Sequence, residues 1–107
     1  MKKVIVVGAT SGIGNELAKI HVNNGYKVGI TGRRKAELQK LQKSNPENYE
    51  ISSFDCTTEN YSEKLSELTK QIGGLDLLIL SSGTGDLNEE LDFEIENKTN
   101  VLNVIAF

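Results

Sequence analysis

The sequence predicts an α/β fold, a parallel sheet of about four strands with helices packed on its faces. Short apolar runs of strand length alternate along the 107 residues with longer stretches of helical periodicity. Those apolar runs are continuous, as strands covered on both faces require. A cluster of glycines also sits where the first strand meets the first helix, in "VVGATSGIGNEL" from Val6 to Leu17.

Taken in order, "KKVIVV" is β-branched and reads as a buried strand. From Gly12 to about Asn24, Ile13, Leu17, Ile20 and His21 recur at helical spacing, and "NNG" stops the helix. "YKVGIT" is the second strand. The charged stretch after it sets Leu38 and Leu41 on one helical face and ends near Pro46, the only proline. "YEISSF" reads as a third strand. In "TTENYSEKLSELTKQIGG", threonines offer a cap, Tyr61, Leu65, Leu68 and Ile72 keep helical spacing, and two glycines close the segment. "LDLLIL" is the fourth strand, and "SSGTGD" a second loop of small residues. From about Glu89 to Phe107 the pattern reads as a fourth helix, with Val101, Leu102, Val104 and Ile105 among its apolar members.

Composition bounds the function. With 37% hydrophobic and 25% charged residues, the chain suits one soluble domain, and a formal charge of −3 gives no electrostatic reason to expect nucleic acid or an anionic membrane as partner. No apolar run approaches the roughly 20 residues of a membrane span, and the first residues lack a secretory pattern. Cytoplasmic residence is the expectation, in keeping with Cys56 as the single cysteine. His21 has no second histidine or neighbouring cysteine to share a metal, and Ser81 and Ser82 have no local base to make a nucleophile of them.

The glycine cluster carries chemistry. A strand that turns sharply into a helix presents free backbone N–H groups and the positive end of the helix dipole at one spot, where anions bind. Glycine allows a phosphate close to the backbone and tolerates positive φ. Gly8, Gly12 and Gly14 are spaced G-x-x-x-G-x-G, so the spacing differs from the G-x-G-x-x-G of the commonest dinucleotide fingerprint. A glycine-rich turn with no ligand is the competing reading.

The end of the second strand adds a separate signal. A carboxylate there binds the adenosine ribose of NAD, whereas arginine accommodates a 2′-phosphate. "TGRRK" supplies Arg33 and Arg34 and no carboxylate before Glu37, which favours NADP(H) over NAD(H). The alternative is a merely solvated helix start, although two arginines there oppose the helix dipole.

With these motifs the sequence resembles the short-chain dehydrogenase/reductase family along all 107 residues. "VGATSGIG" is similar to the family's T-G-x-x-x-G-I-G, with Val7 in place of the threonine. The resemblance implies a Rossmann-like sheet with flanking helices, forming one dinucleotide-binding domain over residues 1–107. It implies that Gly8, Thr10, Ser11, Gly12, Ile13 and Gly14 line the pyrophosphate. "FDCT" would place Asp55 and Cys56 at the adenine. In "LDLLILSSG", Leu80, Ser81, Ser82 and Gly83 stand where the family has N-N-A-G, with Ser81, Ser82 and Gly83 beside the nicotinamide ribose and the two asparagines missing. In "ENKTNVLNVIAF", Asn100 matches the catalytic asparagine, whose carbonyl helps hold a water in a proton relay.

Family chemistry further implies hydride transfer between the nicotinamide and a carbonyl or alcohol carbon of a small molecule, with a tyrosine as acid or base and a lysine four residues later. The tyrosines here are followed at that position by Ile30, Ser53 and Leu65, so the chain contains no Tyr-x-x-x-Lys. The expectation is therefore the N-terminal, cofactor-binding part of a longer dehydrogenase, inactive alone and homo-oligomeric at full length. The alternative is a non-catalytic dinucleotide sensor or interaction module.

Overall fold

A computed structural model describes residues 2–9, 12–53, 61–80 and 104–106. The elements are β1 (Lys3–Val7), α1 (Gly12–Asn23), β2 (Lys27–Gly32), α2 (Lys35–Ser44), β3 (Tyr49–Ser53), α3 (Tyr61–Ile72), β4 (Leu77–Leu80) and β5 (Val104–Ala106). The strands form one parallel sheet in the order β3-β2-β1-β4-β5. This is the α/β, Rossmann-like architecture expected, with five strands rather than about four.

The continuous apolar character of β1 has its reason in the layers. Val4 and Val6 pack with Ala18 and Val22 of α1 and Leu38 and Leu41 of α2, while Ile5 and Val7 pack with Leu65, Leu68 and Ile72 of α3. Both faces of β1 are thus covered, and Val4 to Val7 are all buried. The strand order explains which helix lies where. From β1 to β3 the chain moves one way across the sheet and then returns to β4, and parallel crossovers of one hand place helices on opposite faces when the direction reverses.

Two expectations require correction. Val104–Ala106 is a strand paired in parallel with β4, Leu78 opposite Val104 and Leu80 opposite Ala106, rather than part of a helix. A short apolar run fits either element, and the available sheet edge at β4 decides it. The rest of the expected fourth helix lies outside the described residues. On α1 the buried positions are Gly14, Ala18 and Val22, with Leu17 partly buried beside them, whereas Ile13 and Ile20 are 58% and 50% exposed. Gly14 and Ala18 let the helix backbone come close to the sheet, and bulkier residues on that face would hold it off.

Candidate functional site

The glycine turn is fastened to the neighbouring strand. Val7 lies opposite Thr31 in the register, and just beyond it the N–H groups of Gly8 and Ala9 both donate to the Thr31 carbonyl, at 3.0 and 2.9 Å. This pair of hydrogen bonds to one acceptor draws the chain across the end of β2, and Gly8 turns at φ +85° to allow it. Asn15, in the first turn of α1, donates from Nδ2 to the Ala9 carbonyl at 3.2 Å. Thr31 and Asn15 were not singled out in the sequence, because their part is played by a main-chain carbonyl and a local amide that no motif marks.

α1 begins at Gly12, in the left-handed region at φ +64°, and a Cβ built there would meet nothing within 4 Å. The first turn of α1 contains no acidic residue. The positive end of its dipole is therefore not offset by a carboxylate within that turn, and open space lies against the backbone at the same point.

Arg33 and Arg34 follow the last residue of β2 and are exposed. Arg34 occupies the N-cap position of α2, where its carbonyl accepts from Glu37 and Leu38 at 3.1 Å, and no side chain caps the helix. Among the described residues neither guanidinium has an ion-pair partner, and Glu37, the nearest carboxylate along the chain, pairs with Lys40 at 3.5 Å.

The register aligns these features. Thr31 pairs with Val7 and Ser52, and Leu80 pairs with Val7, so β1, β2, β3 and β4 end along one edge of the sheet. The order β3-β2-β1-β4 puts the reversal of chain direction between β1 and β4, beside the glycine turn, and open parallel sheets bind ligands at such a reversal. Gly8, Gly12, Gly14, Ile13, Arg33 and Arg34 are brought to this edge or its first helical turns. Thr10, Ser11, Asp55, Cys56, Ser81, Ser82, Gly83 and Asn100 lie outside the described residues. Ser53 and Leu80 nevertheless end β3 and β4 at this edge, immediately before the segments carrying Asp55, Cys56 and Ser81 to Gly83.

The described residues fit an anionic nucleotide. A helix start with no acidic residue in its first turn and with open space at Gly12 suits a phosphate held against the backbone. Among the described residues no group of three His, Cys, Asp or Glu could hold a metal ion, and no helix is long and apolar enough to cross a membrane.

Comparison with known proteins agrees with this fold. The family model described as short chain dehydrogenase matches residues 2–107. Glucose 1-dehydrogenase of Gluconobacter oxydans is 32% identical over 108 aligned positions, covering 96% of this chain and 41% of that protein. A crystallised short-chain dehydrogenase from Streptomyces avermitilis superposes with a TM-score of 0.78 at 22% identity, over 99% of this chain and 49% of its own. A variant of actinorhodin polyketide ketoreductase crystallised with NADPH gives a TM-score of 0.73 at 19% identity, over 92% and 46%. The chain therefore spans less than half the length of each of these proteins. Matched by the family model along almost its whole length and built on the same sheet, the chain belongs to the short chain dehydrogenase family of oxidoreductases.

Proposed function

We propose that this protein is an NADP(H)-dependent oxidoreductase acting on a small carbonyl or alcohol substrate in the cytoplasm, and that residues 1–107 form its dinucleotide-binding domain. The observation that carries this reading is the glycine turn, open at Gly12, standing one strand away from two exposed arginines that have no ion-pair partner among the described residues. Gly8, Thr10, Ser11, Gly12, Ile13 and Gly14 would hold the pyrophosphate against the start of α1. Arg33 and Arg34 would hold the 2′-phosphate, a doubly charged group that their planar forks match and that a carboxylate would repel. Asp55 and Cys56 would flank the adenine, and Ser81, Ser82 and Gly83 the nicotinamide ribose.

When bound, the nicotinamide supplies or accepts the hydride. The chain's own part is to orient that ring and, through the Asn100 carbonyl, to help hold a water for proton transfer. The tyrosine and lysine that would exchange the proton with substrate are absent from these residues. The chain's span of less than half its relatives' length supports placing them further along the protein, and the whole is proposed to be a homo-oligomer. A non-catalytic dinucleotide sensor is the second reading, favoured by the same absence. A Tyr-x-x-x-Lys in the coding sequence after Phe107 supports the enzyme, and a stop codon there supports the sensor.

Cofactor choice is tested by titrating the protein with NADPH and NADH. NADPH is expected to bind at least about tenfold tighter, each charge-assisted contact to the phosphate contributing about 1.5–3 kcal/mol. Arg33→Ala is expected to remove most of that difference while leaving NADH affinity nearly unchanged. Equal affinities of the unaltered protein for the two dinucleotides would remove the assignment of the arginines.

A further inference from the structure

The arginines are the head of a longer cationic surface. Between residues 33 and 43 the sequence places five of its 12 basic residues and one of its 15 acidic ones, a local charge of +4 in a chain whose total is −3. The structure lays this segment out as a ridge. Leu38 and Leu41 anchor α2 to the core, while Arg33, Arg34, Lys35, Lys40 and Lys43 are all exposed. The one acid, Glu37, is engaged by Lys40. Among the described residues Arg33, Arg34, Lys35 and Lys43 have no ion-pair partner. Lys43 lies nine residues beyond Arg34, about 13 Å along a helix rising 1.5 Å per residue, too far to touch a phosphate held by the arginines.

Charges at that distance act on a ligand before it docks. At 0.01 M salt the screening length is about 30 Å, so the whole ridge faces an approaching anion as one field, and at 1 M it falls to about 3 Å. A 2′-phosphate adds about two negative charges to the dinucleotide. We infer that the exposed face of α2 is an electrostatic guide for the phosphorylated dinucleotide, with Lys40 and Lys43 raising its rate of capture without contacting it. Part of the choice between NADPH and NADH is then made during association. The inference rests on the NADP(H) reading above and adds to it the residues that act at a distance.

Stopped-flow fluorescence of NADPH mixed with the protein separates association from dissociation. At 0.01 M salt, Lys40→Gln/Lys43→Gln is expected to slow NADPH association about fivefold, with dissociation unchanged within about twofold and the difference gone by about 0.5 M. NADH, which carries only the two pyrophosphate charges, is expected to be slowed by about twofold, less than NADPH. A control, Lys2→Gln/Lys70→Gln, removes the same charge from the amino edge of the sheet and from the last turn of α3; in a molecule 32 Å long at this screening length it is expected to slow association too, but clearly less than the ridge variant does. The guide is overturned if the ridge variant associates as fast as the unaltered protein, if the control slows it equally, or if the loss appears in dissociation. Absence of any NADPH binding overturns the cofactor reading and the guide together, whereas binding at an unchanged rate overturns the guide alone.

Discussion

Tyr49 is the largest fully buried side chain among the described residues, 1% exposed and packed with Val28, Leu38 and Leu41 beneath α2. Burial pushes its phenol above the ordinary value of 10.0, because the low-dielectric core disfavours the phenolate. Among the described residues its hydroxyl has no hydrogen-bond partner. Above about pH 10 the unfolded chain loses this proton while the folded chain keeps it. The folded state then binds more protons than the unfolded, and stability falls as pH rises from there toward the folded value. Tyr49→Phe keeps the ring and removes the titration. At pH 7 the variant is expected to match the unaltered protein within about 1 kcal/mol or exceed it. From pH 10 upward it is expected to lose stability less steeply. Urea melts at pH 7, 9, 10 and 11 check both statements, and parallel losses in the two proteins would show that the phenol stays solvated.

At the scale of elements, the helix ends were legible, and so were the faces of α2 and α3, where Leu38, Leu41, Leu65, Leu68 and Ile72 are all buried. α1 and α3 stop in the same way. Gly25 turns at φ +84° with Tyr26 donating to the His21 carbonyl and Gly25 to Val22, and Gly73 turns at φ +88° with Gly74 donating to Thr69 and Gly73 to Lys70. These are glycine-terminated caps, announced in the sequence by "NNG" and "IGG". At α1 the cap is backed by the edge of one ring on the other, His21 against Tyr26 at 4.8 Å. At α3, Lys3 reaches across from β1 and donates to the Gly73 carbonyl at 3.0 Å, while its N–H donates to Asp76 at 2.9 Å. Gly25→Ala is expected to cost about 1–2 kcal/mol in left-handed strain alone, since a Cβ there meets nothing within 4 Å. Gly73→Ala carries the same strain and also sets a Cβ 3.2 Å from the Lys3 ammonium, so it is expected to cost about 0.5 kcal/mol more. In a Lys3→Met background the two costs should become equal by urea denaturation, and a persisting gap would place the difference elsewhere. The face of α1 was harder. Hydrophobic spacing singled out Ile13 and Ile20 with Leu17, yet the buried residues are Gly14, Ala18 and Val22 with Leu17 beside them, and a hydrophobicity pattern does not register glycine and alanine as packing residues. Gly29 illustrates the same point in a strand. A Cβ there would lie 3.0 Å from Leu68 of α3, so the glycine is a seat for that leucine, and no local pattern says so.

For the molecule as a whole, alternation and continuous apolar strands foretold the layered parallel sheet, because each covered strand must be apolar on both faces whatever its neighbours. The same reasoning failed at Val104–Ala106, where the partner strand decides the element. The candidate site divides similarly. Gly8 and Gly12, both at positive φ, were legible as the residues of a sharp turn, and Arg33 and Arg34 as exposed charges beyond β2. Thr31 and Asn15, which fasten the turn through main-chain carbonyls, were not. This division has a thermodynamic consequence. The turn is held to β2, and the arginines leave from the end of that same strand, so a dinucleotide spanning them would tie α1, α2 and the sheet together and bind only the folded state. Ligand at a hundred times its dissociation constant then adds about 2.7 kcal/mol to unfolding. For a domain near 100 residues this corresponds to a rise in melting temperature on the order of 10 °C. NADPH is expected to produce that rise, NADH at the same concentration a smaller one, and Arg33→Ala to bring the two together. The 107-residue chain is expected to show the shift without oxidising NADPH in the presence of carbonyl substrates, since it has no tyrosine and lysine four residues apart to exchange the proton. Scanning calorimetry and NADPH absorbance on the same sample separate the two properties: turnover proportional to protein would place an acid within these residues, and an unshifted melt would remove the dinucleotide from the sheet edge.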